Sequence, residues 1–149
     1  MTELLELTVD KFTFKVPTDR YYHQEGVWAL AAGDRVRIGL SDFLQQTSGD
    51  VAFAEVQPEG TALAFGDEVA VIETMKTDVV LPAPVGGTVV EVNPAMETTA
   101  EVINQDPYGE GWLALIGAED WESDRARLLD PQAYRALVKE LAEEEMKKR

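Results

Sequence analysis

The pair Gly-Asp recurs along this chain, and each time a short run of β-forming residues follows it. Gly33-Asp34 leads into Arg35-Val-Arg-Ile38, Gly49-Asp50 into Val51-Ala-Phe-Ala-Glu-Val56, and Gly66-Asp67 into Glu68-Val-Ala-Val-Ile72. Glycine accepts backbone conformations closed to other residues, so Gly-Asp is permissive turn chemistry. The recurrence has no fixed period, so it does not indicate a solenoid. Many short strands joined by tight turns indicate a small β sandwich or barrel. With 149 residues the chain is most simply one domain with a core of its own.

Other segments fit a mostly β chain. Residues 1–20 read as an N-terminal extension with one strand, in which Phe12 and Phe14 alternate with Thr13 and Lys15 until Pro17 ends it. Val27-Trp-Ala-Leu-Ala31 and Arg35–Ile38 read as a hairpin across Gly33-Asp34. Ser41-Asp42 predicts a capped short helix through Gln46. Leu81-Pro-Ala-Pro-Val-Gly-Gly87 is too rich in proline and glycine for a strand interior, and Thr88–Val92 follows as a strand. Asn93-Pro94 predicts a short turn or helix, and Trp112–Ile116 a last strand. From about residue 119 the pattern turns helical. Asp130-Pro131 starts a helix over about 131–148, with one apolar stripe of Tyr134, Leu137, Val138, Leu141 and Met146. Glu143, Glu144 and Glu145 precede Lys147, Lys148 and Arg149 by four residues each, the order that favours exposed helical ion pairs.

Composition removes several classes of chemistry. There is no cysteine, so disulfides and thiolate nucleophiles are excluded, and one histidine, His23, cannot make a multi-histidine zinc site. The net charge of −15 repels nucleic acid and anionic membranes, since phosphate binding needs clustered cations. No run approaches about 18 consecutive apolar residues, and the first residues lack a basic n-region, so a cytoplasmic protein is expected. His23 near Glu25 lacks a nearby nucleophile and reads as an exposed or partner-paired histidine. Asp42, Asp50 and Asp67 lack the dense spacing of a calcium loop and read as turn aspartates. Asp106-Pro-Tyr-Gly-Glu-Gly-Trp112 is not a phosphate loop; it reads as a turn closed by two glycines, with Tyr108 and Trp112 packed inward.

Lys76 stands out. It is the sole basic residue between Arg37 and Arg125, and it lies between the apolar runs Val69–Ile72 and Val79–Leu81. Two β-branched runs around a polar middle read as a hairpin, which places the lysine at a turn. Most turn lysines are simply solvated. An amine that another enzyme must find and acylate, however, needs a rigid, protruding mount with no competing cation. An ordinary lysine amine is protonated at neutral pH, so acylation requires an activated donor brought by a ligase. Glu73 and Asp78 flank Lys76 as ligase contacts or as turn residues.

Several motifs in order resemble the H protein family of the glycine cleavage system over roughly residues 21–140. Gly39-Leu-Ser41 through Gly49-Asp50 is similar to the family's Gly-Ile-Thr step, helix and Gly-Asp. Glu73-Thr-Met-Lys76 resembles its Glu-Ser-Val-Lys lipoylation signature, and Ala83-Pro-Val-Gly-Gly87 its Pro-Val-x-Gly segment. Val92-Asn-Pro-Ala-Met96 and Pro107-Tyr-Gly-Glu-Gly-Trp112 resemble its Val-Asn and Pro-Tyr-Gly-x-Gly-Trp blocks. The resemblance implies a barrel-sandwich hybrid of the lipoyl and biotinyl hammerhead type, made of two small sheets with short helices and a C-terminal helix. Residues 21–149 would form the carrier domain. It implies lipoate as an amide on Lys76, loaded by a lipoate ligase or lipoyl transferase, on a monomeric, non-catalytic carrier. The arm would serve a glycine decarboxylase, an aminomethyltransferase and a lipoamide dehydrogenase through transient complexes. The family's Glu-His-Glu-Trp run stands here as Glu25-Gly-Val-Trp28, and Met75 and Thr77 replace the usual small neighbours of the lysine. Those departures admit an alternative, an H-like lipoate-binding protein of heterodisulfide-reductase-like sulfur oxidation. Met75-Lys76-Thr77 is half of a biotin carrier's Met-Lys-Met, and an unmodified acidic interaction module is the remaining reading.

Overall fold

The computed structural model describes residues 3–147. In chain order its strands and helices are β1 (Leu4–Val9), β2 (Phe12–Pro17), β3 (Tyr21–Tyr22), β4 (Val27–Ala32), β5 (Arg35–Leu40), α1 (Asp42–Ser48), β6 (Val51–Val56), β7 (Ala62–Leu63), β8 (Glu68–Thr74), β9 (Asp78–Pro82), β10 (Gly87–Val92), α2 (Ala95–Thr98), α3 (Val102–Gln105), β11 (Ala114–Ala118), α4 (Trp121–Arg125) and α5 (Pro131–Lys147). A six-stranded sheet runs β3-β4-β5-β11-β10-β7 and a three-stranded sheet β6-β8-β9, while β1 and β2 form a separate hairpin. The two larger sheets bury one shared core that includes Val27, Ile38, Leu40, Ile72, Leu81 and Ile116. This is the expected barrel-sandwich arrangement.

A second apolar cluster joins the N-terminal hairpin to α5. Leu7, Phe14 and Val16 meet Tyr22 and Trp28 on one side and Tyr134, Val138 and Ala142 on the other. Tyr22 and Tyr134 stack with ring centroids 4.4 Å apart. The Tyr134 and Ser41 hydroxyls share a buried hydrogen bond of 2.6 Å, which ties α5 to the start of α1. Burial pushes the Tyr134 hydroxyl well above its ordinary range, so it stays neutral there. Asp130 Oδ1 accepts the Ala133 amide at 2.8 Å and caps α5 as predicted.

Several expectations need correction. Residues 4–9 form a full strand, because Leu5, Leu7 and Val9 alternate with polar residues and Asp10 turns the chain at φ 57°. Helix α1 runs two residues beyond Gln46, until Gly49 (φ 92°) ends it by donating to the Gln45 carbonyl. The last strand begins at Ala114 rather than Trp112: the Trp112 amide still closes the preceding turn, and its carbonyl is taken by the Asn93 side chain. The buried stripe of α5 is Tyr134, Val138 and Ala142, whereas Leu137 is half-buried and Leu141 is 36% exposed. Pro82 ends β9, which is tolerated at a sheet edge. Among the described residues the ion pairs are Arg20–Asp19 and Arg125–Glu122, so Glu143 and Lys147 are not paired, and the expected pairs with Lys148 and Arg149 lie outside the described residues.

Candidate functional site

The β8–β9 hairpin places Lys76. Its strands pair antiparallel, with Glu73 opposite Asp78 and Ile72 opposite Val79. The turn is held by one residue. The Thr74 amide donates to the Thr77 carbonyl at 2.8 Å, as does the Thr74 hydroxyl, and that hydroxyl accepts from the Thr77 amide at 3.1 Å and the Lys76 amide at 3.4 Å. The Thr74 hydroxyl is thus what closes the turn at the tip.

The tip does not hang free. The Met75 amide donates to the Asp50 carbonyl at 3.0 Å, and the aliphatic stem of Lys76 lies over Gly49. Beneath it, Asn104 Oδ1 accepts the Val51 amide at 2.8 Å, while its Nδ2 donates to the Gln45 side chain and the Gly49 carbonyl. The segment under the lysine is thereby anchored to α1 and α3. The roles of Gln45, Asp50 and Asn104 are hidden in the sequence, because their contacts span up to 59 positions of chain, whereas Thr74 acts within the motif itself.

Lys76 is exposed, and its ammonium makes no hydrogen bond or ion pair among the described residues. Beside its stem lies a groove of about 120 Å³ lined by Val9, Phe12, Phe14, Phe43 and Met146 among others. Lys76 thus offers an accessible amine, a fixed mount and an apolar neighbourhood, which fit an acyl chain joined at Nζ. Glu73 and Asp78, the flanking acids, face each other across the hairpin and have no ion-pair partner among the described residues.

The other candidates are structural. His23, expected to be exposed or partner-paired, is buried; Nδ1 accepts the Glu25 amide at 3.0 Å, and the ring lies 5.6 Å from Phe65. Burial holds it below the usual histidine range, with Glu25 opposing and Arg127 adding to that shift. Asp42 accepts the Lys15 amide and two glutamine side chains, and Asp67 accepts the Ala64 amide. Asp106 accepts the Gly109, Glu110 and Gly111 amides, the predicted closed turn. Tyr108 and Trp112 are half-buried against the second cluster; the Tyr108 hydroxyl accepts from the Asp42 amide at 2.9 Å and donates to the Lys15 carbonyl at 2.6 Å.

The family model described as Glycine cleavage H-protein matches residues 20–141. The chain belongs to the glycine cleavage H-protein family. It is 42% identical over 123 residues to the glycine cleavage system H protein of Thermus thermophilus, covering 83% of this chain and 95% of that protein. It is 42% identical over 129 residues to that of Mycolicibacterium smegmatis, covering 85% of this chain and 98% of that protein. Its fold matches the crystal structure of a glycine cleavage system H protein from Mycobacterium marinum with a TM-score of 0.74 and 31% identity, over 81% of this chain and 97% of that one. H proteins are lipoyl carriers with lipoate held covalently on a lysine, and this chain takes that role as a carrier subunit of glycine cleavage. The relatives favour glycine cleavage over the sulfur-oxidation and biotin alternatives. No helix among the described residues is long and apolar enough to cross a membrane.

Proposed function

We propose that Lys76 is the lipoylation site and that residues 21–149 form the carrier domain, with residues 1–20 an extension. The observation that carries this is the exposed amine of Lys76, without a polar partner among the described residues, at the tip of a hairpin pinned to Asp50. A lipoate ligase or lipoyl transferase supplies the activated acyl group. A C–N bond forms at the acyl carbon as the bond to the leaving group breaks, and the ammonium gives up two protons to become a neutral amide.

When bound, the dithiolane supplies a disulfide that accepts an aminomethyl group. This chain's residues supply the rest: Thr74 fixes the turn, Asn104 and Asp50 brace it, and the tether raises the local concentration of the arm at each partner. The partners under this reading are glycine decarboxylase, aminomethyltransferase and lipoamide dehydrogenase. The carrier itself catalyses nothing and acts in the cytoplasm as a monomer in transient complexes. Glu73 and Asp78 serve as recognition neighbours for the loading enzyme.

The test is incubation with a lipoate ligase, ATP and lipoate, followed by peptide mass mapping. A single adduct on Lys76 is expected, with none on Lys76→Ala. The loaded protein should support glycine–bicarbonate exchange with the decarboxylase, and the Lys76→Ala protein should not. Wild-type levels of modification on Lys76→Ala would refute the assignment.

A further inference from the structure

One face of the molecule has so far been given a role only at Glu73 and Asp78. The outer side of the β6–β8–β9 sheet carries two rows of side chains: Phe53, Glu73 and Asp78 in one, Glu55, Val71 and Val80 in the next. Phe53 is 69% exposed and Val80 56%, and Met75 at the adjoining tip is 78% exposed. The carboxylates of this face have no ion-pair partner among the described residues.

Phe53 points outward because of a local irregularity. Val51 pairs with Thr74, yet Phe53 pairs with Glu73, so Ala52 is an extra residue in the strand. Without that bulge, regular pairing would set Phe53 opposite Ile72, on the core side, since a one-residue slip exchanges the two faces. The bulge turns an aromatic ring towards solvent while Val51 stays buried. Two further features act against stability alone: large apolar side chains in water, and Glu73 directly opposite Asp78. All three lie on the sheet that carries Lys76.

We propose that this face is where the enzyme that acylates Lys76 docks, using an apolar hollow for Phe53 and a basic rim for Glu55, Glu73 and Asp78. The proposal rests on the reading of Lys76 as the acylated residue. The occupant follows from reach and charge. An acylating enzyme must bring an acyl carbonyl into bonding contact with Nζ, so it has to cover the surface around the hairpin. Enzymes that act on the cargo meet the far end of the arm, several bonds away. Acidic side chains without neutralising cations call for basic groups across the interface, and a projecting aromatic beside them is the usual anchor of such a contact.

The test uses an ATP-dependent lipoate ligase with ATP and lipoate, and four acceptors: the wild type, Phe53→Ser, Val80→Lys, and Glu73→Gln with Asp78→Asn. Initial rates give KM and kcat for each acceptor. Binding without turnover is measured calorimetrically on the same variants in a Lys76→Ala background. Phe53→Ser and Val80→Lys are expected to raise KM and weaken binding about tenfold or more, with kcat within about twofold. The double acid variant should weaken binding at about 0.02 M salt and match the wild type near 0.5 M, where screening removes the charge contribution. Acylation of the wild type with unchanged KM in Phe53→Ser and Val80→Lys would overturn the docking face and leave the Lys76 assignment standing. A wild type that takes no lipoyl group would overturn both.

Discussion

Val138 should matter more to stability than the larger Leu137 beside it. Val138 is fully buried among Tyr22, Tyr134 and the N-terminal hairpin, whereas Leu137 is half-buried at the margin of that cluster. Val138→Ala removes two carbons worth about 0.8 kcal/mol each in transfer, and the closed site adds a cavity contribution, for about 2–3 kcal/mol in total. Leu137→Ala removes more atoms, but from a site that water already reaches, so about 1 kcal/mol is expected. In a chain of this size each kcal/mol moves Tm by roughly 3 °C. Val138→Ala should therefore lower Tm by roughly 5–10 °C and Leu137→Ala by about 3 °C, measured by far-ultraviolet circular dichroism and checked by urea midpoints at constant m. A Leu137→Ala loss equal to or above that of Val138→Ala would refute the assigned face of α5. An unchanged Tm in Val138→Ala would show that the helix is not docked on the hairpin.

Two further outcomes follow from packing and charge. The depressed His23 value means that the unfolded chain binds more protons once the pH falls below the ordinary histidine range near ~6.5. His23 therefore contributes stability that is complete above that range and is lost as the pH falls through it towards the folded value; urea titrations from about pH 7.5 to 5.5 should show a decline that His23→Gln lacks, and parallel curves would refute the buried ring. Gly87 has φ 152°, and a Cβ there would run into the Gly117 carbonyl on the paired strand. Gly87→Ala should then cost about 3 kcal/mol or more, seen as a Tm lowered by about 10 °C; a shift under about 2 °C would mean that the β10–β11 pairing is looser than described.

Local signals carried much of this fold. The Gly-Asp turns, the capped helix at Ser41 and the Asp130-Pro131 start each rest on neighbours within four residues, and each is present. The hairpin that mounts Lys76 was readable for the same reason. What the sequence hid depends on distant partners. The bulge at Ala52 is defined by its pairing with β8, not by residues 51–53 themselves. The bracing role of Asn104 exists only once α3 meets Gly49. The 3.6-residue period of α5 gave a stripe but not its centre, because the face is chosen by the hairpin that covers Val138 and Ala142. Beneath the tip of β8–β9, the site is made by such long-range contacts.

The run Glu25-Gly-Val-Trp28 suits its place in the fold. Gly26 has φ 97°, its amide donates to the His23 carbonyl, and its own carbonyl accepts the Ser41 amide, so it closes the turn that enters β4. A Cβ there would stand 2.9 Å from Leu44 Cβ, and a histidine would have to displace α1. Val27 is wholly buried in the main core, where an unpaired carboxylate would be expelled. Glycine at 26 therefore permits the close approach of the turn before β4 to α1, while Val27 fills the core. That junction leads directly into Gly49 and Asp50, the shelf on which Lys76 rests. The turn before β4 is thereby linked through Ser41 and α1 to the segment that lies under the stem of Lys76. The exposed apolar side chains Phe53, Met75 and Val80 lie apart from that junction, on the β6–β8–β9 sheet and at its hairpin tip.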